Sequence, residues 1–144
     1  MPDIDNRWPT WEPRALSLLR FVAGLIFLDH GTAKLLGFPA MPMFAHLQLA
    51  SLIGVQGLIE IVGGALICVG LFTRWAAFIL SGDMAVAYFM VHSPKSIFPA
   101  VNGGDGAILY CFIFLYLFVA GGGVWSLDRW RSRQTAGVSV RAGS

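Results

Sequence analysis

Residues 49–72 read LASLIGVQGLIEIVGGALICVGLF, a stretch in which Glu60 is the only acidic or basic residue. Its length exceeds the ~20 residues an α-helix needs to cross a hydrocarbon core of ~30 Å. At 100° per residue, Gln56, Gly57, Glu60, Gly63, Gly64 and Ile67 gather on one arc, while Leu58, Ile59, Val62 and Leu66 fall largely outside it. Apolar helices gain little by associating in lipid, so small residues and polar contacts decide which faces meet. Gly57 and Gly64 stand two turns apart with Glu60 between them, which places the carboxylate inside a bundle. At 1.5 Å per residue Glu60 lies about 15 Å from one end of the segment, near mid-membrane.

Three further apolar segments accompany this one, at about residues 15–36, 74–92 and 106–125, bounded by Gly37-Phe38-Pro39, by Ser93-Pro94 and by the Asn102–Gly106 loop. Of the 144 residues, 56% are hydrophobic and 12% charged, and the mean hydropathy is +0.68. A soluble domain of this size carries about a quarter charged residues, so the chain lacks the polar side chains to cover a water-facing surface. The fold class expected is all-α, an integral membrane four-helix bundle. It is organised as an amino tail (1–14), a bundle domain (15–128) and a flexible basic tail (129–144). The amino-terminal stretch lacks the basic, apolar and small-residue regions of a cleaved signal peptide. A formal net charge of +2 gives no reason to expect nucleic acid as a partner; membrane lipid is the expected one.

Basic residues near segment ends set orientation. Arg7, Arg14, Arg74, Arg129, Arg131, Arg133 and Arg141 fall on one side, and Lys34 and Lys95 on the other. Seven against two puts both termini of a multi-pass protein in the cytoplasm. Trp8, Trp11, Trp75, Trp125 and Trp130 fall at that same rim, as an aromatic belt does.

On the first segment Arg20, Ala23, Gly24, Phe27, His30, Gly31 and Lys34 share an arc, with Arg20 expected to snorkel to the inner surface. Asp29 points roughly opposite, toward the outer interface or another chain, which makes it a candidate subunit-interface residue in a homo-oligomer. Asp83 sits near mid-depth on the third segment, opposite the stripe of Ser81, Ala85, Tyr88 and His92. Asp105 is placed to cap the last helix.

An ionisable group at the bilayer centre costs about 2.5–3.5 kcal/mol on insertion scales, so it needs a partner or a task. Glu60 is either a proton acceptor beside a redox or transport step, or a hydrogen-bonded bridge between helices; Glu60 and Asp83 together form a candidate proton relay. His30, Lys34, His92, Asn102 and Asp105 converge toward the outer end. With Glu60 they form a candidate binding site for a quinone or another small molecule, or else a network that seals the loops, Lys34 pairing with Asp105. Neither metal nor haem is expected, because the three histidines lack ligand spacing and His46 falls in a loop. Cys68 and Cys111 are separated by about 20 Å of helix rise, too far for a disulfide.

Leu19-Arg20, Gly24, His30-Gly31 and Lys34-Leu35, followed by Glu60-x-x-Gly63-Gly64 and Gly70-Leu71-x-Thr73-Arg74, resemble the DoxX family. Asn102-Gly103-Gly104-Asp105 and the closing Gly121-x-Gly123-x-Trp125-Ser126-Leu127-Asp128 are similar to later motifs of the same family, in the same order; Asp29 and Asp83 depart from its pattern. The resemblance implies a four-helix inner-membrane protein acting as a small subunit or accessory partner of an oxidoreductase. Some relatives serve quinone-linked systems such as thiosulfate:quinone oxidoreductase, and others thiol or oxidative-stress handling. A non-catalytic subunit is the reading this favours, with a quinone as the cofactor to look for. A small proton-coupled transporter and a structural anchor for a soluble partner are the alternatives.

Overall fold

The computed structural model describes residues 8–45, 47–48 and 50–141, and among these there is no strand. Arg7 and His46 lie outside the described residues. Among the described residues six α-helices follow one another: α1 (Trp8–Leu35), α2 (Leu52–Val69), α3 (Thr73–Ala87), a single turn α4 (Pro99–Asn102), α5 (Asp105–Ala120) and α6 (Leu127–Arg141). A π-helical turn, Tyr88–His92, prolongs α3.

Three of these, Thr10–Leu35, Leu52–Val69 and Thr73–His92, are long and apolar enough to cross a membrane. The fourth apolar helix, α5, has 16 residues, or about 24 Å of rise against a ~30 Å core. It stops short of the expected 106–125 because Gly121 leaves helical geometry at φ 87° and ψ −165°. The tail expected to be flexible continues as α6. Ser126 accepts the Arg129 amide at its start (3.2 Å), and Asp128 occupies its first turn, two features that favour helix initiation.

The helices form two antiparallel hairpins. α1 packs along most of its length on α2, α3 packs on α5, and the hairpins meet along a shorter α2–α3 seam. Phe27 of α1 crosses to the second hairpin, where its ring meets Tyr110 at 5.0 Å and Phe114 at 4.6 Å. With Ile67, Leu80 and Leu117 these rings make the core. Elsewhere the exterior is apolar, with Phe21, Leu25, Leu58, Val62, Phe78, Phe112 and Val119 all exposed. A folded monomer in water does not display continuous apolar surface on this scale.

At one end of the bundle, buried arginine and loop carbonyls replace water. Arg20 does not snorkel: it is 2% exposed. Its guanidinium donates to the carbonyls of Ile67 and Cys68 at the end of α2, and to Gly122 and Trp125 in the loop after α5. Arg74 likewise donates to Phe118 and Val119 at the end of α5. Each arginine satisfies carbonyls that a helix terminus leaves without partners. Asp128 accepts the Phe72 and Thr73 amides at 2.8 Å each, capping α3. Trp11, Trp75, Trp125 and Trp130 are exposed around this end, which also carries Arg14, Arg74, Arg129, Arg131 and Arg133.

Candidate functional site

Lys34 lies in the last turn of α1, and Gln56 and Glu60 are one turn apart on α2. What brings them together is the absence of side chains between the two helices. A Cβ on Gly64 would stand 2.7 Å from the Leu28 amide nitrogen, and one on Gly31 would stand 2.7 Å from that of Ile61. The α1 and α2 backbones therefore touch, as small residues allow in lipid-embedded helices. Lys34 then lies beside Gly57 and against Glu60.

The Lys34 ammonium donates to Glu60 Oε1 at 2.7 Å and to Gln56 Oε1 at 3.1 Å. The side chains of Lys34 and Glu60 are 9% and 2% exposed, and theirs is the one ion pair among the described residues. Glu60 Oε2 and Asp83 Oδ2 are buried with no hydrogen-bond partner. Asp83, from α3, meets the Gln56 side chain and is within electrostatic range of Glu60 and Lys34. One ammonium thus faces two carboxylates across three helices, with two acceptor oxygens left over. An unmade hydrogen bond on a buried polar group is costly, so this cluster can take a donor or a proton.

Two recesses flank the cluster. On the loop side, a space of about 450 Å³ lined by Lys34, Gly37, Met41, Pro42 and Phe44 opens above the ammonium, which also stands 5.9 Å from the Phe44 ring. On the lateral side, a groove of about 440 Å³ runs between α2 and α3, with Gln56 and Asp83 among otherwise apolar walls.

His92 and Asn102 form a separate network. His92 Nδ1 is 3.1 Å from the Asn102 carbonyl and its ring stacks on Tyr88. The buried Asn102 amide donates to the Ser96 carbonyl at 2.8 Å and accepts the Gly104 amide at 2.7 Å. This network closes the 93–104 loop. His30 is exposed, with Nδ1 2.9 Å from the Ile26 carbonyl one turn back. Asp105 is also exposed and does not cap α5: the cap position falls on Gly104, without a side-chain bond. The pairing considered for Lys34 and Asp105 is replaced by Lys34 with Glu60. Asp29 is exposed on the face of α1 turned away from α2. Cys68 and Cys111 are free thiols; Cys111 lies under Ser81, which donates to its carbonyl at 2.9 Å. Among the described residues no three His, Cys, Asp or Glu side chains converge to hold a metal ion.

Gln56 as the acceptor for Lys34 beside Asp83, and Arg20 as a buried clamp, did not follow from the sequence alone. The i, i+4 spacing of Gln56 and Glu60 on the glycine arc was the available signal for the first. For the second it was the position of Arg20 on the same arc as Gly24, rather than on the lipid face.

Comparison with known proteins gives the chain a family and relatives. The family model described as DoxX matches residues 15–93. An uncharacterized protein of Haemophilus influenzae is 43% identical over 127 residues, covering 85% of this chain and 95% of its own length. The uncharacterized membrane protein Rv3486 of Mycobacterium tuberculosis is 30% identical over 166 residues, covering 92% and 95%. No solved structure matches. With its apolar helices, its ordered motifs and these relatives along nearly their whole length, the chain is a membrane protein that belongs to the DoxX family.

Proposed function

We propose that this protein is a small, non-catalytic membrane subunit or accessory partner of a quinone-linked oxidoreductase system in the bacterial inner membrane. The observation that carries the proposal is the buried Lys34–Glu60 pair with Gln56 and Asp83, which leaves two carboxylate oxygens unpartnered. A charged cluster kept among lipid-embedded helices is costly to insert and marks a functional position by default. It offers a quinone ring both a donor, the Lys34 ammonium, and acceptors. His92 and Asn102 shape the neighbouring loop, while His30 and Asp105 stand exposed at the same end, available to a docking partner.

In this reading α5 is the fourth membrane span, its short length completed by the glycine loop at 121–123. Both termini face the cytoplasm, residues 15–128 form the embedded unit, and the arginines of α6 lie against anionic lipid, each contributing about 1 kcal/mol. Asp29, a carboxylate on an otherwise apolar outer face, fits a contact with a second copy or a partner chain. The proximity of Glu60 and Asp83 also favours a second reading, a proton-coupled carrier built from an oligomer. Extraction in mild detergent, identification of co-purifying proteins and titration with a quinone analogue test the first. Co-purification of a redox enzyme together with analogue binding supports it; neither one occurring overturns it. Proteoliposome proton flux that disappears in Glu60→Gln and Asp83→Asn would favour the carrier instead.

A further inference from the structure

We infer that the recess between the start of α3 and the glycine loop after α5 seats the phosphate of an anionic phospholipid. The recess encloses about 590 Å³ and carries two guanidinium groups in its wall, those of Arg74 and Arg129. Arg74 spends Nη1 on the Phe118 and Val119 carbonyls, which leaves its Nε and Nη2 unpaired among the described residues. Among the same residues no hydrogen bond or ion pair holds the Arg129 guanidinium. Each of these groups is a planar fork of N–H donors whose geometry matches phosphate. Arg20 lies directly beneath, donating to the Gly122 carbonyl at 2.8 Å. Arg131 stands 5.4 Å from the ring of Phe72, which lines the recess.

The other polar side chains of the recess are already engaged or out of reach. Both Asp128 oxygens accept amides at the start of α3, so that helix end is capped from within the chain. Ser126 donates to the Gly123 carbonyl and Ser132 to that of Arg129, and the Thr73 hydroxyl is fully buried. Four guanidinium groups therefore act on this space against one carboxylate, a field that favours an anion. Pro13, Leu16, Trp75, Ala120 and Val124 complete the wall. Exposed Trp11, Trp75, Trp125 and Trp130 surround this end, as tryptophans do at the depth of lipid headgroups. Phe78, one turn beyond Arg74 on α3, and Val119, beside it on α5, are exposed as well, an apolar surface on which acyl chains can lie. The phosphate of a bilayer lipid thus meets the arginines at its own depth, as in other basic pockets between membrane helices. A choline or ethanolamine head brings a further cation into this field and a glycerol head does not, so the seat selects lipid of net negative charge. It is independent of the Lys34 cluster at the opposite end.

The test titrates full-length protein in dodecyl maltoside with phosphatidylglycerol and phosphatidylcholine carrying a pyrene-labelled acyl chain. Binding is read by energy transfer from the protein's tryptophans. The unaltered protein is expected to bind phosphatidylglycerol at least tenfold tighter than phosphatidylcholine. Arg129→Gln, which removes a guanidinium that holds nothing else, should weaken phosphatidylglycerol binding fivefold or more. Ser132→Trp, which fills the recess from its exposed side, should do the same by bulk. Arg133→Gln, an exposed position on α6 outside the recess, removes the same charge and should change binding less than twofold. All variants must elute and melt as the parent does. Equal weakening by Arg129→Gln and Arg133→Gln overturns the seat, by showing a diffuse basic surface. Equal binding of the two lipids, or binding untouched by Arg129→Gln and Ser132→Trp, overturns it too. Displacement of phosphatidylglycerol by an equal concentration of inorganic phosphate overturns the lipid assignment in favour of a soluble anion.

Discussion

Lys34 Nζ and Glu60 Oε1 are 2.7 Å apart, in side chains 9% and 2% exposed, and are held there by direct contact between two glycine-bearing helix faces. Removing water from both charges is expensive, and their attraction repays it only when geometry and hydrogen bonding are good. Gln56 supplies part of that bonding by accepting from the ammonium.

Breaking this pair from one side leaves an uncompensated buried charge. Glu60→Leu and Lys34→Met are each expected to destabilise the protein by about 3–5 kcal/mol. The double variant should recover part of that loss, because neither member of the pair then remains, although Asp83 loses the nearby ammonium. Denaturant unfolding in mixed micelles of all four proteins gives the coupling directly. Additive losses would mean that the two groups are not energetically paired.

Arg20 satisfies carbonyls from the end of α2 and from the loop after α5. A lysine has one compact ammonium and no planar fork, so Arg20→Lys should not substitute for it. Both Arg20→Lys and Arg20→Met are expected to lose about 3 kcal/mol or more, since hydrogen bonds to charged groups contribute about 1.5–3 kcal/mol each. Limited proteolysis should then cut near Gly122–Trp125, where the unaltered protein resists. A fully stable Arg20→Lys would refute the clamp.

The backbone contact between α1 and α2 can be tested with a single methyl group. Gly64→Ala places its Cβ 2.7 Å from the Leu28 nitrogen, so the helices must separate, at a cost of about 1–3 kcal/mol. A Cβ on Gly82 meets nothing within 4 Å, and Gly82→Ala should be neutral or slightly stabilising through helix propensity. Thermal melts of the two proteins should move in opposite directions or differ by several degrees. Equal melts would show that the interface tolerates a wider spacing.

The orientation of the bundle is open to chemical labelling. In a background with Cys68 and Cys111 replaced by alanine, Trp11→Cys and Arg131→Cys should react with an impermeant thiol reagent only after cells are opened. Met43→Cys and Ile97→Cys, on exposed loop residues of the opposite end, should react in intact cells. Labelling of Trp11→Cys and Arg131→Cys from opposite sides would exclude a bundle whose two ends share the cytoplasm.

Much of this was legible in the chain because lipid makes the code simple. Of the two arcs, the structure buries Gly57, Glu60, Gly63, Gly64 and Ile67 on α2 and Arg20, Ala23, Gly24, Phe27 and Gly31 on α1, leaves Gln56 and Lys34 half-buried, and turns His30 outward. Partner choice was harder to read. Lys34 can reach Glu60 only because the helices touch at Gly31 and Gly64, a spacing set by the register of two segments rather than by either alone. The exposure of His30 and Asp105 followed the same logic: their depth was legible, but whether they turned inward depended on which neighbour came beside them. The end of α5 at Ala120, and the capped start of α6 after Ser126, depended on how Arg20, Arg74 and Asp128 redistributed hydrogen bonds around the glycine loop.

The distribution of polar ties along the two hairpins has a mechanical consequence. At the Arg20 end, Arg20 and Asp128 fasten the first hairpin and its connecting turn to the loop and helix that follow α5. At the Lys34 end the hydrogen bonds of Lys34, Gln56 and Glu60 stay within the first hairpin, and Asp83 of the second stands beside Gln56 within electrostatic range of Glu60 and Lys34. The molecule is thus built like a pair of tongs, riveted by hydrogen bonds at one tip and joined near the other by packing and charge. If the arms part, the Lys34 end is where the fewest hydrogen bonds have to break.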